Sequence, residues 1–226
     1  MTLKVIGAGF GRTGSSSVRA ALGDIGYRCY HMSEVLFSPS KKGDIDLWRA
    51  AADAEDRSKI DWAGIFADYD ATIDFPGSAF WRELAETFPE AKVILTHHPK
   101  GPDGWYDSTI NTIYGGVGPA GSTEFGRKVN DLMNDLIWNG ALKGTMDDRD
   151  AAIARYKAHS EEVKDTIPAD RLLVFSADQG WEPFAAFLGI EGKSGPFPRE
   201  NDREAMSRTV ARLKRMQAFA DAKAHG

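Results

Sequence analysis

A glycine-rich turn near the start of the chain constrains the fold more than any other feature of the sequence. Residues 3–6 form a short apolar run typical of a strand, and residues 7–17 read GAGFGRTGSSS. From Ser15 onward, apolar residues recur at the spacing of one helix face, at Val18, Ala21, Leu22 and Ile25. A strand that enters a helix through such a turn predicts an α/β unit, and free N–H groups at the helix start favour a bound phosphate.

Strand and helix patterns alternate along the rest of the chain. Further apolar runs typical of strands lie at residues 28–32, 71–74, 92–96 and 171–175. Helical patterns cover residues 44–56, 61–69, 79–88, 105–114, 124–138, 147–166 and 181–188, and a last one has an apolar stripe at Met206, Val210, Leu213 and Met216. This alternation predicts a three-layer α/β/α fold with a parallel sheet, in a single domain over residues 1–226.

Three local features of this pattern lead to further expectations. Ser78 is placed to cap the helix at residues 79–88. The stretch GGVGPAGS at residues 115–122 is expected to be a mobile loop. His159 falls in the polar helix at residues 147–166, so we expect it at the surface.

Composition excludes several classes of partner and site. The net charge of −5 argues against general nucleic-acid binding, which needs a basic surface. The single cysteine, Cys29, cannot form an intrachain disulfide, and no grouping of His, Asp or Glu has metal-ligand spacing. No run approaches the roughly 18 apolar residues of a membrane-spanning helix, and no targeting segment is visible, so we expect a cytoplasmic protein.

Two phosphate-binding patterns fit the turn in part. From Gly9 to Ser16 the sequence reads G-x-x-x-x-G-S-S, which is the P-loop spacing with Ser15 in place of the lysine. The dinucleotide pattern G-x-G-x-x-G begins at Gly7 and Gly9 but places Arg12 at the third glycine, where a side chain obstructs helix packing. The turn therefore resembles a P-loop whose positive charge has moved forward to Arg12.

Several stretches together resemble sulfotransferases of the P-loop superfamily, specifically the bacterial and fungal group whose loop reads GxGRTGT/S. They are GAGFGRTGSSS, CYHMSEV (residues 29–35), ATIDFPGSAFWREL (71–84), AKVILT…WYDS (91–108), RLLVF…GWEPFAAFLG (171–189) and PFPREND (196–202). The resemblance implies a P-loop NTPase-like sulfotransferase fold. It also implies the sulfuryl donor PAPS (3′-phosphoadenosine 5′-phosphosulfate), with PAP as the product.

The resemblance implies a role for the whole first loop. The residues that match the family's phosphate- and sulfate-binding motif are Gly11, Arg12, Thr13, Gly14, Ser15, Ser16 and Ser17. Arg12 would stabilise the charge that builds on the leaving phosphate. Because sulfuryl carries less negative charge than phosphoryl, no metal ion is expected.

A second patch is implied for the 3′-phosphate, where the family pairs an arginine after the fourth strand with a serine on the next helix. Ser108 matches that serine. His97 or His98 stands where the arginine should be, and we assign His97 to the site, with Lys100 as a substitute. A neutral imidazole is a poorer phosphate partner than a guanidinium. The alternative is that both histidines are polar residues that meet solvent at the end of the strand.

Transfer to an acceptor needs a base near the first loop, and three residues at strand ends are candidates. Asp74 follows the third strand, where many sulfotransferases place a catalytic histidine, and it ranks first. His31 and then Glu34 follow the second strand, where some bacterial relatives place a carboxylate. Each has a structural alternative: Asp74 as a loop or helix-capping partner, His31 as a packed core residue, and Glu34 as a solvated helix charge.

The sequence thus favours a sulfotransferase that moves sulfuryl from PAPS to a hydroxyl or amine of a small-molecule acceptor. One alternative is a P-loop nucleotide kinase or NTPase with Asp74 as a Mg²⁺ ligand. Another is a non-catalytic nucleotide-binding relative that lost the arginine for the 3′-phosphate. We expect no nucleic-acid partner and no membrane span, and the sequence leaves a homo-oligomer open.

Overall fold

The computed structural model describes residues 2–37, 44–114 and 124–200, and within them five strands form one parallel sheet. The strands are β1 Val5–Gly7, β2 Cys29–Tyr30, β3 Ala71–Thr72, β4 Lys92–Thr96 and β5 Leu172–Phe175, in the order β2-β3-β1-β4-β5. Val5 of β1 lies opposite Ala71 on one side and Lys92 on the other. The predicted parallel α/β fold is confirmed.

Nine α-helices surround this sheet in the described part of the chain. They are α1 Ser15–Asp24, α2 Met32–Phe37, α3 Asp44–Asp53, α4 Trp62–Ile65, α5 Trp81–Thr87, α6 Gly101–Ile110, α7 Glu124–Met133, α8 Arg149–Thr166 and α9 Trp181–Leu188. Short 3₁₀ turns lie at Arg57–Lys59, Gly77–Phe80 and Ala177–Gln179, and a π-helix at Asn134–Ala141 continues α7.

Two cores bury the two faces of the sheet. Because side chains alternate along a strand, Val5 points into one core and Ile6 into the other. The large core holds most of the aromatic residues and is closed by α3 to α8. The small core lies under α1 and α9, where Val18 and Phe184 are fully buried. The result is the three-layer arrangement expected from the sequence.

The strand order determines where a ligand can bind. From the central strand β1 the chain builds β2 and β3 on one side, then crosses to build β4 and β5 on the other. Ligands of such sheets bind at the carboxyl ends of the strands where the order reverses. The segments that follow β1, β3 and β4 meet there, and they contain the first loop, Asp74 and the two histidines.

The expected helix at residues 79–88 begins differently from the prediction, and Ser78 does not cap it. Ser78 lies inside the 3₁₀ turn Gly77–Phe80, and α5 begins only at Trp81. The backbone N–H of Ser78 already donates to the carbonyl of Asp74 at 3.0 Å. The chain therefore turns as soon as it leaves Asp74, and Ser78 is part of that turn.

Other predicted boundaries also shift. The helix expected at residues 61–69 is only the four-residue α4, and α2 was not predicted. The helix expected at residues 124–138 changes to a π-helix at Asn134. The stretch at residues 115–122 and the apolar stripe from Met206 to Met216 lie outside the described residues. None of the described helices has the length and apolarity that crossing a membrane requires.

Candidate active site

The first loop joins β1 to α1 along a path that needs glycine at two positions. A Cβ on Gly9 would lie 2.1 Å from Thr96 Oγ1, so the loop can pack on the end of β4 only without a side chain there. Gly14 has φ of 90° in the left-handed region and stands at the N-cap of α1. Its lack of a side chain leaves the first turn of α1 with no side-chain cap.

Thr13 uses its hydroxyl inside the protein. The hydroxyl donates to the carbonyl of Phe10 at 2.5 Å and lies 2.5 Å from Thr96 Oγ1. Because its single proton goes to Phe10, Thr13 must accept from Thr96. Thr13 is fully buried, so its hydroxyl is not available to a ligand.

The three serines at the start of α1 have different surroundings. Ser15 is 2% exposed and donates to Asp74 Oδ2 at 2.5 Å. Ser16 is half-buried. Ser17 Oγ accepts the backbone N–H of Glu200 at 3.1 Å, so the late segment of the chain lies against the first loop. Ser15 stands at the lysine position of a P-loop and here binds a carboxylate.

Arg12 is held at the tip of the loop in a left-handed conformation, with φ of 68°. Its side chain is largely buried, and its Nε donates to Ser108 Oγ at 3.1 Å. Burial lowers the pKa of Arg12, while the charge of Asp74 acts in the opposite direction. The predicted loop arginine and the predicted helix serine therefore lie together.

Asp74 also has a left-handed backbone, with φ of 70°. Its Oδ1 accepts the backbone N–H of Phe75 at 2.6 Å, and a Cβ on Gly11 would lie 3.2 Å from the same oxygen. Burial acts to raise the pKa of Asp74, but the neighbouring His31 ring and hydrogen bonds from Ser15 and Phe75 hold it below its ordinary value. Because its pKa is below the ordinary value, Asp74 is an ionised carboxylate at neutral pH.

His31 lies beside this carboxylate, with its Nε2 3.4 Å from Asp74 Oδ2. Its Nδ1 accepts the backbone N–H of Ser33 at 3.1 Å. The proton of the neutral ring is therefore on Nε2, facing Asp74. Glu34, the third candidate base, forms an ion pair with Arg19 at 2.8 Å.

A cavity of about 770 Å³ opens beside the first loop, between the start of α6 and the turn that follows β5. The residues that line it are Arg12, Gly14, Ser17, His98, Pro99, Lys100, Gly104, Asp107, Ser108, Ala177, Asp178 and Arg199. Three of them are cationic and two are carboxylates. Such a mixture suits a ligand that carries both phosphate and hydroxyl or amino groups.

The two histidines after β4 point to different places. His97 is not among the residues that line the cavity, and its Nδ1 lies 3.2 Å from the hydroxyl of Tyr156. His98 does line the cavity, and its Nδ1 accepts the backbone N–H of Lys100 at 3.1 Å. The structure therefore brings His98, rather than the assigned His97, next to Arg12 and Ser108.

His159 is not at the surface, so that expectation was wrong. It is 4% exposed, its Nε2 donates to the carbonyl of Ala8 at 2.6 Å, and its ring stacks on Phe10 with centroids 4.0 Å apart. Burial lowers its pKa to about 4. The polar helix pattern gave no signal of this contact, because Ala8 is 151 residues away in the chain.

The described residues contain no group of three or more His, Cys, Asp or Glu side chains that could hold a metal ion. Two comparisons with known proteins bear on the site. A family model described as "Sulfotransferase domain" matches residues 4–206. A protein of Aspergillus versicolor named "Ava biosynthesis cluster protein M" is 30% identical over 216 residues, which cover 87% of this chain and 80% of that protein.

Proposed function

The chain belongs to the sulfotransferase domain family, and we propose on this basis that it transfers sulfuryl from PAPS to a hydroxyl or amine of a small-molecule acceptor. The observation that carries the proposal is the position of Arg12, between the cavity and the buried Ser15–Asp74 pair. The name of the Aspergillus relative assigns that protein to a biosynthesis cluster, which supports a small molecule as the acceptor.

The loop end of the cavity fits the sulfated phosphate of the donor. The first turn of α1 has no side-chain cap, so its N–H groups can bind anionic oxygens. Arg12 adds a cation at the same edge. When bound, PAPS supplies a sulfuryl group already activated on a phosphate, and Arg12 and the loop amides would stabilise the charge left on that phosphate.

We assign the 3′-phosphate to the part of the cavity lined by His98 and Ser108. Because Nδ1 of His98 accepts from Lys100, the neutral ring carries its proton on Nε2 and acts as a donor. Ser108 Oγ accepts from Arg12, which leaves the proton of its hydroxyl for a ligand. Lys100 lines the same part of the cavity and adds charge. In this arrangement two neutral donors and a lysine replace the family's arginine.

Asp74 is the base in this proposal, and His31 positions it. Asp74 is ionised, and its side chain keeps 13% of its surface exposed, so it can accept the proton of an acceptor hydroxyl. His31 cannot accept at Nδ1 while Ser33 donates to it, and its Nε2–H faces Asp74. The ion pair of Glu34 with Arg19 supports the interpretation of Glu34 as a helix charge.

The proposal is tested with radiolabelled PAPS and a panel of phenols, aliphatic alcohols and amines. We expect label in at least one acceptor, at a rate that EDTA does not change. Turnover of ATP that requires Mg²⁺ would instead support the kinase or NTPase alternative. Tight binding of PAP with no transfer to any acceptor would support the non-catalytic relative.

A further inference from the structure

We propose that His159 is a positioning residue: from α8 it holds the first loop in the backbone conformation that binds the donor. The inference has two parts. That His159 fixes the loop is independent of the reaction, whereas its effect on donor affinity rests on the proposed function. His159 contacts Ala8 and Phe10, and the proposed role requires no contact with the reacting atoms.

His159 completes the hydrogen bonding of the strand end from which the loop departs. β1 ends at Gly7, and the N–H of Ala8 still donates to the carbonyl of Ile94 in β4 at 2.9 Å. The carbonyl of Ala8 is fully buried and needs a partner. His159 Nε2 supplies it at 2.6 Å. A side chain thus fixes the first peptide group beyond the strand.

The ring of His159 fixes the following residues as well. It stacks on Phe10 with an interplanar angle of 21°. Gly9, between the two contacts, packs directly on Thr96 of β4. Residues 8–10 are therefore held between β4 and α8, and only Gly11 separates them from Arg12.

The same face of α8 supports the loop at a second point. Tyr156, three residues before His159, stacks on Trp105 with ring centroids 4.6 Å apart. Trp105 Nε1 donates to the carbonyl of Gly11 at 3.1 Å. Positions three apart lie on one helix face, so a single surface of α8 holds the loop at both Ala8 and Gly11.

The contact requires an N–H donor at the position of Nε2. His159 lies near the charges of Arg155 and Glu162 on α8 and of Arg82 on α5, and burial keeps its ring neutral. A glutamine can place an amide N–H at a similar reach, whereas an asparagine is one methylene shorter. His159→Gln is therefore the conservative variant, and His159→Ala and His159→Asn are the disruptive ones.

The test compares His159→Ala with Val163→Ala, a control that removes fully buried atoms from the same helix one turn further on. The first measurement is amide hydrogen exchange of residues 8–15 in the ligand-free protein. The second is PAP affinity by calorimetry, and the third is the kcat and donor KM. If His159→Ala does not fold, His159→Asn takes its place in each measurement.

We expect His159→Ala to speed exchange in the loop and to raise the PAP Kd and the donor KM about tenfold, as for one lost hydrogen bond, with a smaller change in kcat. His159→Gln should recover most of each loss. Val163→Ala should lower the melting temperature without changing loop exchange. The proposal is overturned if the Ala variants behave alike, or if Gln gives no rescue. A change in loop exchange without any PAP binding would contradict the proposed function and leave the loop assignment standing.

Discussion

The first loop is buried and closely packed, whereas the far side of the cavity beside it carries exposed side chains. Thr13 is fully buried and Ser15 nearly so, while Lys100, Asp178 and Arg199 on the cavity side are exposed. Groups in the loop are held by hydrogen bonds with β4, with α6 and α8, and with Asp74 beyond the end of β3. Because the groups of the loop are fixed before any ligand arrives, we propose that the loop supplies both donor binding and the chemistry, whereas the exposed residues of the cavity adjust affinity.

Backbone strain follows the same division. Arg12 and Asp74 are two of the three described non-glycine residues with a left-handed backbone, and the charge of Asp74 acts on the guanidinium of Arg12. Such residues cost roughly 1–3 kcal/mol each and persist where the surrounding packing imposes them. The strain lies at the end of the site that carries the proposed chemistry.

The largest effect is expected from Arg12→Ala, which removes the charge beside the leaving phosphate. Transfer should fall on the order of 10³-fold, in the range found for lost stabilising donors, as measured by steady-state turnover of labelled PAPS. Arg199→Ala, which removes a cation from the exposed side of the cavity, is the control and should cost less than about tenfold. Equal losses in the two variants would show that the loop arginine contributes no more to transfer than an exposed arginine of the cavity.

Arg12→Gly separates the charge of Arg12 from its strain. Glycine adopts a positive φ without penalty, so this variant should be about 1 kcal/mol more stable than Arg12→Ala and equally inactive. Urea unfolding measures the difference. Equal stability of the two variants would show that the left-handed backbone at Arg12 stores no strain.

Acid should destabilise the loop through His159. Its pKa is near 4 in the folded protein against an ordinary 6.5, so between these values the unfolded chain binds the extra proton. The stability that neutral His159 contributes is complete above pH 6.5. About 3 kcal/mol of it is lost as the pH falls toward 4. Unfolding of the wild type and His159→Gln at both pH values measures this. The glutamine variant should lose less, and parallel losses would contradict the buried, neutral histidine.

Asp74→Asn tests the base. The change keeps the size of the side chain and one acceptor oxygen but removes its ability to take a proton. We expect a loss on the order of 10²-fold in kcat, at the lower end for general bases because the lowered pKa weakens Asp74 as a base. Glu34→Gln is the matched carboxylate control and should leave kcat nearly unchanged. A large loss of kcat in Glu34→Gln would instead identify Glu34, on α2, as the base.

Among the effects on binding and turnover, the smallest is expected on the cavity side, from His98→Arg. An arginine there restores the charge that the family places at this position, so PAP should bind up to about tenfold more tightly. AMP, which has no 3′-phosphate, should bind as before. The matched control is His97→Arg, at the neighbouring position that does not line the cavity. Tighter PAP binding in the His97 variant alone would restore His97 as the phosphate partner.

The layers of the fold and the position of the first loop between β1 and α1 could be predicted because they depend on local signals. The sequence shows glycines, hydroxyls and Arg12 between a strand pattern and a helix pattern. The alternation of strand and helix patterns predicts a parallel sheet. The choice between His97 and His98 could not be predicted, because it depends on the direction of the chain as it leaves β4. The contact of His159 with Ala8 joins two segments that are distant in the chain, so no local sequence pattern predicts it. Ser78 was misassigned because a 3₁₀ turn follows Asp74 and α5 begins only at Trp81.

The most direct measurement is a crystal structure of the chain grown with PAP. We expect the 5′-phosphate on the amides between Gly11 and Ser15, beside Arg12, with the 3′-phosphate at His98 and Ser108. An empty first loop, or PAP bound elsewhere on the protein, would contradict the account and leave only the family and the fold.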